Sequence, residues 1–200
     1  MFDNKINNFL SSPKKIIAIK LKKIGFSANV LTICGFIFSL CTFFSIINGL
    51  FNIAVIFFLF SRIFDGFDGE IARLDEVTKF GGFIDIVFDF IGYALIPFGF
   101  IMYASENAIA GSLLLVTFIG TGSSFLTFAI YEKELNENKI KKSFFYSSGI
   151  IEGFETIIFF ILMLLLNEYF IFLAYVFSIL CIITTLQRIF NAYHTLDKSK

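Results

Sequence analysis

The sequence predicts an all-α fold: an integral membrane bundle of six transmembrane helices, preceded by an interfacial amphipathic helix. Two observations carry this prediction. The 200 residues are 57% hydrophobic with a mean hydropathy of +0.83, which is too apolar for a soluble domain of this length. No charged residue occurs between Lys23 and Arg62, a stretch about twice as long as one membrane crossing requires. We expect an N-terminal helix in 1–26, one six-helix transmembrane domain in 27–193 and a polar tail in 194–200.

The N-terminal region is polar and basic. Ser12-Pro13 is typical of a helix N-cap and first helical position, and Ile17, Leu21 and Ile24 would then share one helix face. The pattern is imperfect because Ile19 falls on the lysine-bearing side. It predicts a helix on an anionic leaflet, and an ordinary basic flank to the first spanning helix is an equally good interpretation.

Six apolar stretches follow, and short polar segments separate them. Asn48-Gly49, with Asn52, predicts a turn that divides the first long apolar run. Seven residues, 74–80, form a loop after the second stretch, and 132–143 form the longest polar loop. The predicted spans are 28–47, 51–73, 81–103, 108–131, 147–166 and 169–190.

The distribution of Lys and Arg predicts the orientation. The turns at 48–50, 104–107 and 167–169 contain neither residue, so the positive-inside rule puts both termini in the cytoplasm. We interpret the chain as a multi-pass protein of a prokaryotic cytoplasmic membrane, in contact with membrane lipids. The formal net charge of zero excludes a generally basic protein, so no nucleic-acid partner is expected.

Four aspartates lie inside or beside two of these spans, at their cytoplasmic ends. Asp65 and Asp68 are at i and i+3, and Asp85 and Asp89 are at i and i+4, so each pair projects from one face of a helix. Antiparallel neighbouring helices can point both pairs into one pocket. Carboxylates there are costly unless cations balance them, and oxygen-only ligands favour Mg²⁺ or Mn²⁺. The pattern predicts a site for two divalent ions, an arrangement suited to displacement at phosphorus.

The residues around the aspartates fit a phosphate ligand. Glycines at 66, 69, 81 and 82 leave room for a close approach, and Arg73 offers a fork of donors. Arg62, one turn before Asp65, either binds a phosphate or pairs with Asp65, and we favour the pairing. A divalent-cation transporter remains an alternative, although the outer halves of the spans are nearly free of polar groups and offer no continuous path.

Asp65-x-x-Asp68-Gly69-x-x-Ala72-Arg73, followed by Gly81-x-x-x-Asp85-x-x-x-Asp89, resembles the signature of the CDP-alcohol phosphatidyltransferases. Asn29-x-x-Thr32-x-x-Gly35 resembles a weaker family feature, and the helical layout is also similar. The family usually has eight residues between the Arg and the next Gly, whereas seven occur here. That difference bears on loop contacts to a nucleotide.

The resemblance implies an enzyme that transfers a phosphatidyl group from a CDP-linked lipid, usually CDP-diacylglycerol, to a small alcohol and releases CMP. It implies that Asp65, Asp68 and Asp85 bind the two metal ions, that Asp89 shares one of them, and that Asp89 is also the general base. The residues matched to nucleotide and CDP-lipid binding are Gly69, Ala72, Arg73 and Gly81. The resemblance also implies a homodimer. All four aspartates are present, which argues against an inactive relative.

Three ionisable residues near the cytoplasmic ends of the last two spans are candidates for the acceptor site. Glu152, Glu155 and Arg188 are either functional or a structural Glu–Arg set. Gly149-x-x-x-Gly153 fits close helix packing, as a common and weak pattern. A cluster of lysines at 139, 141 and 142 could attract a phosphorylated acceptor, but such clusters more often only fix the orientation of the neighbouring spans in the membrane. The sequence therefore does not determine which alcohol is the acceptor.

Overall fold

A computed structural model of the chain describes residues 14–74, 77–137 and 149–196, and these residues are helical apart from short connections. The first helix, α1, is described over 14–23. The other helices are α2 (Ala28–Ile47), α3 (Phe51–Leu74), α4 (Lys79–Tyr103), α5 (Ala108–Glu137), α6 (Gly153–Leu165) and α7 (Phe170–Leu196). Two 3₁₀ turns, Ser105–Asn107 and Asn167–Tyr169, lie where the sequence predicted turns.

Helix α1 packs on one end of the α2–α3 pair. Ala18 is fully buried against Leu31 and Ile71, and Leu21 joins the same small cluster. Ile17 remains 43% exposed, so the predicted apolar face is divided between the protein and its surroundings. The predicted cap at 12–13 lies outside the described residues. The helix ends before Gly25, whose φ of +99° favours glycine.

Helices α2 and α3 form the predicted hairpin. Ser27 caps α2 by accepting a hydrogen bond from the Val30 amide. Gly49, with φ +70°, makes the turn, and a Cβ at that position would lie 3.2 Å from the Tyr103 ring. This contact puts the α2–α3 turn and the end of α4 at the same end of the bundle, so α2, α3 and α4 form an up-down-up unit.

Helix α4 begins two residues before the predicted start at 81. Thr78 is its N-cap, and the Thr78 hydroxyl accepts a hydrogen bond from the Gly81 amide at 3.0 Å. A threonine directly before a helix satisfies an otherwise unpaired amide, which moves the helix start upstream. The loop after α3 is therefore shorter than the seven residues predicted, and residues 75–76 lie outside the described part of the chain.

The second half of the chain departs most from prediction. Helix α5 continues to Glu137, past the predicted end at 131, because the charged residues after 131 are good helix formers. Helix α6 begins at Gly153 rather than 147, since Glu152 caps it and the Ile151 amide bonds to the Thr184 hydroxyl. Gly149 therefore precedes α6 and is not part of a helical Gly149–Gly153 pair, but it does pack closely on α7, where a Cβ at that position would collide with the Thr184 side chain. Helix α7 runs to Leu196, beyond the predicted domain end at 193.

Four stretches in the described helices are long and apolar enough to cross a membrane: Ala28–Ile47, Lys79–Tyr103, Ser105–Tyr131 and Asn167–His194. Helix α3 has sufficient length, but its first 18 residues already contain Arg62, Asp65 and Asp68. Helix α6 has 13 residues, and at about 1.5 Å per residue it is shorter than a hydrocarbon core of about 30 Å. By length and composition, the described helices therefore include four candidate membrane spans, not the six that were predicted.

Phenylalanine dominates the interior. Phe100 stacks on Phe170 with ring centroids 4.1 Å apart, which ties α4 to α7. Phe160 contacts the rings of Phe58 and Phe177, and so joins α6 to α3 and α7. Each buried aromatic pair adds about 0.5–1.5 kcal/mol beyond the area that it buries. This core fixes α3 and α4 against the rest of the bundle, and the polar pocket lies between these helices and α2.

Candidate active site

A pocket between α2, α3 and α4 brings the four predicted aspartates together. The helical spacing explains this, because each pair faces inward from its own helix and the two helices are neighbours. The pocket has polar groups at its centre and phenylalanine rings at its wall. We call it the aspartate pocket, and it is lined by Thr32, Gly35, Phe36, Ser39, Arg62, Asp65, Asp68, Asp85, Phe88 and Asp89.

Three of the aspartates form a compact set, here called the aspartate triad: Asp65, Asp68 and Asp85. Each offers a carboxylate oxygen, and these oxygens lie within 4.8 Å of one another. Oxygens around an octahedral Mg²⁺ ion at about 2.0–2.1 Å are separated by about 3–4 Å, so the triad fits such an ion after a small contraction. An all-carboxylate donor set is also the chemistry that hard divalent cations prefer.

Asp68 is the most buried member of the triad, at 4% exposure. Its Oδ2 accepts a hydrogen bond of 2.7 Å from the Thr32 hydroxyl on α2. Gly35, one turn along α2, lets the two helices approach, because a Cβ there would lie 3.3 Å from the Ser61 carbonyl oxygen. Thr32 is therefore a supporting residue of the site, and its position in the pattern with Asn29 and Gly35 was the signal for it.

Asp89 lies outside the triad and pairs with Arg62. The Arg62 Nη1 atom donates to Asp89 Oδ1 at 2.9 Å and lies 3.6 Å from Asp65 Oδ2. The predicted pairing with Asp65 is present, but the contact with Asp89 is the shorter one. The Asp89 side chain is 31% exposed, whereas that of Arg62 is 10% exposed. Of the four carboxylates, that of Asp89 is thus the one held in a hydrogen-bonded ion pair with Arg62.

Several groups hold Arg62 in place. Its Nη1 also donates to the Tyr93 hydroxyl at 2.8 Å, and its Nη2 donates to the Ser61 hydroxyl at 3.0 Å. The guanidinium lies over the Tyr93 ring, 4.6 Å from the centroid. Ser61 in turn shares a 2.7 Å hydrogen bond with Ser39 on α2. Sequence reasoning missed Tyr93, although its position four residues after Asp89 places it on the same helix face.

The residues matched to nucleotide binding lie beside the pocket at the ends of α3 and α4. Arg73 is 65% exposed and pairs with Glu70 at 2.8 Å, so its guanidinium is accessible. Ala72, directly before Arg73 on the same helix, is half-buried. A Cβ at Gly69 would lie 3.7 Å from Arg73 Nη1, which leaves an open helix surface beneath that side chain. At Gly81 a Cβ would lie 2.8 Å from both Asn29 Oδ1 and Thr78 Oγ1.

Glu152, Glu155 and Arg188 do not line the aspartate pocket. Glu152 and Glu155 form a reciprocal capping box at the start of α6, and the Glu152 amide donates to Glu155 Oε2 at 3.2 Å. Arg188 is 4% exposed, and its Nη1 donates to the Thr121 carbonyl oxygen at 2.8 Å. The structural interpretation accounts for both glutamates. The lysines at 139, 141 and 142 lie outside the described residues.

Residues 26–186 match the CDP-alcohol phosphatidyltransferase family, a stretch that contains the whole aspartate pocket. The chain belongs to this family. It is therefore an enzyme, a phosphotransferase of phospholipid synthesis, and the cation-transporter interpretation is set aside. The family resemblance drawn from the aspartate motif is confirmed.

Two relatives cover nearly the full length. The chain is 43% identical over 180 residues to the inner membrane protein YnjF of Escherichia coli (strain K12), covering 88% of this chain and 87% of the relative. It is 30% identical over 195 residues to the archaetidylinositol phosphate synthase of Pyrococcus horikoshii, covering 97% and 98%. Together with the apolar helices, these matches identify a multi-pass membrane protein.

The fold also resembles a solved structure. The crystal structure of Mycobacterium tuberculosis phosphatidylinositol phosphate synthase (PgsA1) with CDP-DAG bound matches with a TM-score of 0.71 at 19% identity. The match covers 90% of this chain and 93% of that one. The likeness shows that the two proteins share a helical fold.

Proposed function

We propose that this enzyme transfers a phosphatidyl-type group from a CDP-linked lipid, of the CDP-diacylglycerol kind, to a hydroxyl group of a small alcohol and releases CMP. The observation that carries the proposal is the aspartate pocket, in which four carboxylates and a buried arginine converge between three neighbouring helices. The solved neighbour's bound CDP-DAG supports the choice of donor.

The aspartate triad is the proposed cation site, with Asp89 shared by a second ion. Divalent Mg²⁺ or Mn²⁺ would supply charge stabilisation of the diphosphate and of the departing CMP. The protein's own contribution is to preorganise the carboxylates. Thr32 holds Asp68, and the helix spacing presents Asp65 and Asp85 from facing helices.

Asp89 is the proposed general base. The proton of the acceptor hydroxyl passes to the Asp89 carboxylate, the acceptor oxygen forms a bond to the lipid-bearing phosphorus, and the bond from that phosphorus to the CMP oxygen breaks. Asp89 suits this role because its side chain is 31% exposed, so an acceptor can reach it, while Arg62 orients it through Oδ1.

Arg73, Gly69, Ala72 and Gly81 are the proposed nucleotide and CDP-lipid contacts. In the proposed complex, the exposed guanidinium of Arg73 leaves Glu70 and donates to a phosphate oxygen of the substrate. The ion pair with Glu70 is at the surface and weak, whereas hydrogen bonds from arginine to phosphate are stronger and more directional. Gly69 supplies open helix surface beneath Arg73 on which a ribose or phosphate can lie close to α3, whereas the missing Cβ of Gly81 leaves room for Asn29 and Thr78.

The proposed membrane arrangement has six spans, with both termini and the aspartate pocket on the cytoplasmic side of a prokaryotic cytoplasmic membrane. Helix α1 is proposed to lie at the interface, because Ile16 and Ile17 are exposed on the helix that also bears lysines. A homodimer is proposed from the family resemblance alone.

Relatives named for inositol phosphate products make polyol phosphates the first acceptors to test. Arg188 is the residue that remains a candidate acceptor contact, since its buried Nε has no partner among the described residues. Glu152 and Glu155 are proposed as structural caps instead.

The deciding experiment measures CMP release from CDP-diacylglycerol by the full chain in membranes with Mg²⁺ or Mn²⁺. The acceptors are inositol phosphate, glycerol 3-phosphate, inositol, serine and choline-like alcohols. We expect release with at least one acceptor, and loss of that release in Asp89→Asn. Glu106→Gln is the matched control, because it removes one exposed carboxylate at the 3₁₀ turn before α5. Wild-type turnover in Asp89→Asn would refute the assignment of the base.

A further inference from the structure

A chain of hydrogen bonds crosses the three helices of the aspartate pocket and ends at Asp89. It begins on α2, where the Ser39 hydroxyl donates to the Gly35 carbonyl oxygen at 3.3 Å. Ser39 and Ser61 share a 2.7 Å hydrogen bond, and Ser61 is its donor because the one proton of Ser39 goes to Gly35. The Ser61 oxygen accepts from Arg62 Nη2, and Arg62 Nη1 donates to Asp89 Oδ1. Arg62 therefore links the carboxylate of Asp89 on α4 to the backbone of α2.

The chain is buried where it holds Arg62 and accessible where it ends. Ser61 and Ser39 are buried, whereas the Asp89 side chain is partly exposed. Tyr93 holds the guanidinium from the side of α4, since its hydroxyl accepts from Nη1 and its ring lies against the charge. Buried hydrogen-bond networks rigidify the side chains within them. Arg62 can thus fix the orientation of a carboxylate that a substrate can still reach.

The two oxygens of Asp89 have different surroundings. Oδ1 accepts from Arg62, whereas Oδ2 accepts no hydrogen bond from the residues that the structure describes. An ionised carboxylate has about two acceptor positions on each oxygen, so Oδ1 can still contact a shared cation while Oδ2 contacts an acceptor hydroxyl. A general base needs an oxygen within about 2.6–3.2 Å of the group that it deprotonates. Rotation of the carboxylate would move Oδ2, and the bond to Arg62 opposes that rotation.

We propose that Arg62 is a positioning residue for the general base. Ser61 and Ser39 anchor Arg62 to α2. Arg62 then holds Asp89 by Oδ1, so that Oδ2 takes the proton of the acceptor hydroxyl. The acceptor oxygen bonds to the lipid-bearing phosphorus as the bond to the CMP oxygen breaks, and the residues of the chain keep their own protons. This inference rests on the proposed transferase function and names the residues that orient its base.

The test measures CMP release by variants of the full chain in membranes, with the acceptor that gives the fastest release. Ser61→Ala is the most informative variant, because it removes a link of the chain but no charge, and Ser61 does not line the aspartate pocket. A displacement of about 1 Å at a reacting group can cost about 100-fold in rate. We expect kcat to fall by about tenfold, with the KM of both substrates within about twofold of wild type.

Two substitutions of Arg62 separate its hydrogen bonds from its charge. Arg62→Met has no donors and is expected to lower kcat by about 100-fold. Arg62→Lys keeps the charge but loses the planar fork that contacts Ser61 and Asp89 together, so an intermediate loss is expected. Wild-type kcat in Arg62→Lys and Ser61→Ala alike would show that only the charge matters, and would overturn the proposal.

Ser45→Ala is the matched control on α2, since within the described part of the chain the Ser45 hydroxyl bonds only to the Cys41 carbonyl of its own helix. Its kcat is expected to equal that of wild type. A loss of kcat in Ser45→Ala as large as that in Ser61→Ala would show a general effect of removing buried hydroxyls and refute the proposal. A raised KM with unchanged kcat in Ser61→Ala would also refute it, because the chain would then serve binding.

Melting temperatures in detergent distinguish this inference from the proposed function, because they require no turnover. Since Arg62 joins Ser61 to Asp89, Ser61→Ala is expected to lower the melting temperature less in an Asp89→Ala background than in wild type. Additive losses would overturn the anchoring of Asp89, whether or not the enzyme is active. Non-additive losses without CMP release from any acceptor would refute the transferase and leave the anchoring of Asp89 through Arg62 intact.

Discussion

The hydroxyl of Thr32 on α2 donates a 2.7 Å hydrogen bond to Asp68 Oδ2 on α3, inside the aspartate pocket. Both residues are buried, at 7% and 4% exposure. A buried carboxylate is costly when its hydrogen bonds are missing, so this bond both joins the two helices and satisfies one oxygen of a candidate metal ligand. The contact makes α2 part of the site, although α2 supplies no carboxylate.

Thr32→Val is expected to lower the free energy of unfolding by about 1–3 kcal/mol, because the buried Asp68 Oδ2 loses the hydroxyl that donates to it from α2. Chemical denaturation of the purified protein in detergent measures this. Thr42→Val is the matched control on the same helix, since within the described part of the chain the Thr42 hydroxyl bonds only to the Phe38 carbonyl of its own helix. We expect the control to cost less than about 0.5 kcal/mol. Equal losses would show that the bond to Asp68 adds nothing.

Gly81→Ala and Gly82→Ala are expected to act in opposite directions. A Cβ at Gly81 would lie 2.8 Å from Thr78 Oγ1 and Asn29 Oδ1, so it displaces the cap of α4 and costs about 1 kcal/mol. At Gly82, which is exposed and helical, nothing lies within 4 Å, and alanine is expected to stabilise the helix by up to about 1 kcal/mol. Melting temperatures of both variants provide the comparison, and destabilisation of similar size in each would contradict it.

The composition of the pocket could be predicted because helical spacing controls it. Asp65 and Asp68 share one face of α3, Asp85 and Asp89 share one face of α4, and the short loop makes the helices neighbours. The turn at Gly49 was equally predictable, since Asn-Gly interrupts an otherwise uniform apolar run. These features depend on local sequence alone.

The partners within the pocket could not be predicted in the same way. Whether Arg62 pairs with Asp65 or Asp89 depends on how α4 is rotated against α3. Apolar residues surround both helices, so hydrophobic periodicity gives little information on that rotation. The start of α6 was missed for a different reason. Glu152 is the N-cap of α6, but glutamate is not among the residues preferred at that position, so the sequence did not indicate a helix boundary there.

Glu155→Gln separates a structural role from an acceptor-binding role. Glutamine preserves the capping box, so the structural interpretation predicts wild-type stability and an unchanged KM for the acceptor. Glu155→Ala is expected to cost about 0.5–2 kcal/mol of stability, again without a change in acceptor KM. Thermal unfolding and CMP-release kinetics give the two readouts. A rise of about tenfold in acceptor KM for Glu155→Gln, with stability unchanged, would instead place this carboxylate at the acceptor.

Arg73 is expected to matter for substrate and hardly at all for folding. Its pair with Glu70 is at the surface, so Arg73→Gln should cost no more than about 1 kcal/mol of stability. Loss of a charge-assisted contact to phosphate should raise the KM for the CDP-linked lipid by about tenfold or more, with a smaller rise in Arg73→Lys, which keeps the charge but loses the planar fork. Lys23→Gln, which removes an exposed cation from α1, controls for the general loss of positive charge. Equal KM values in Arg73→Gln and Lys23→Gln would remove Arg73 from the proposed nucleotide contacts.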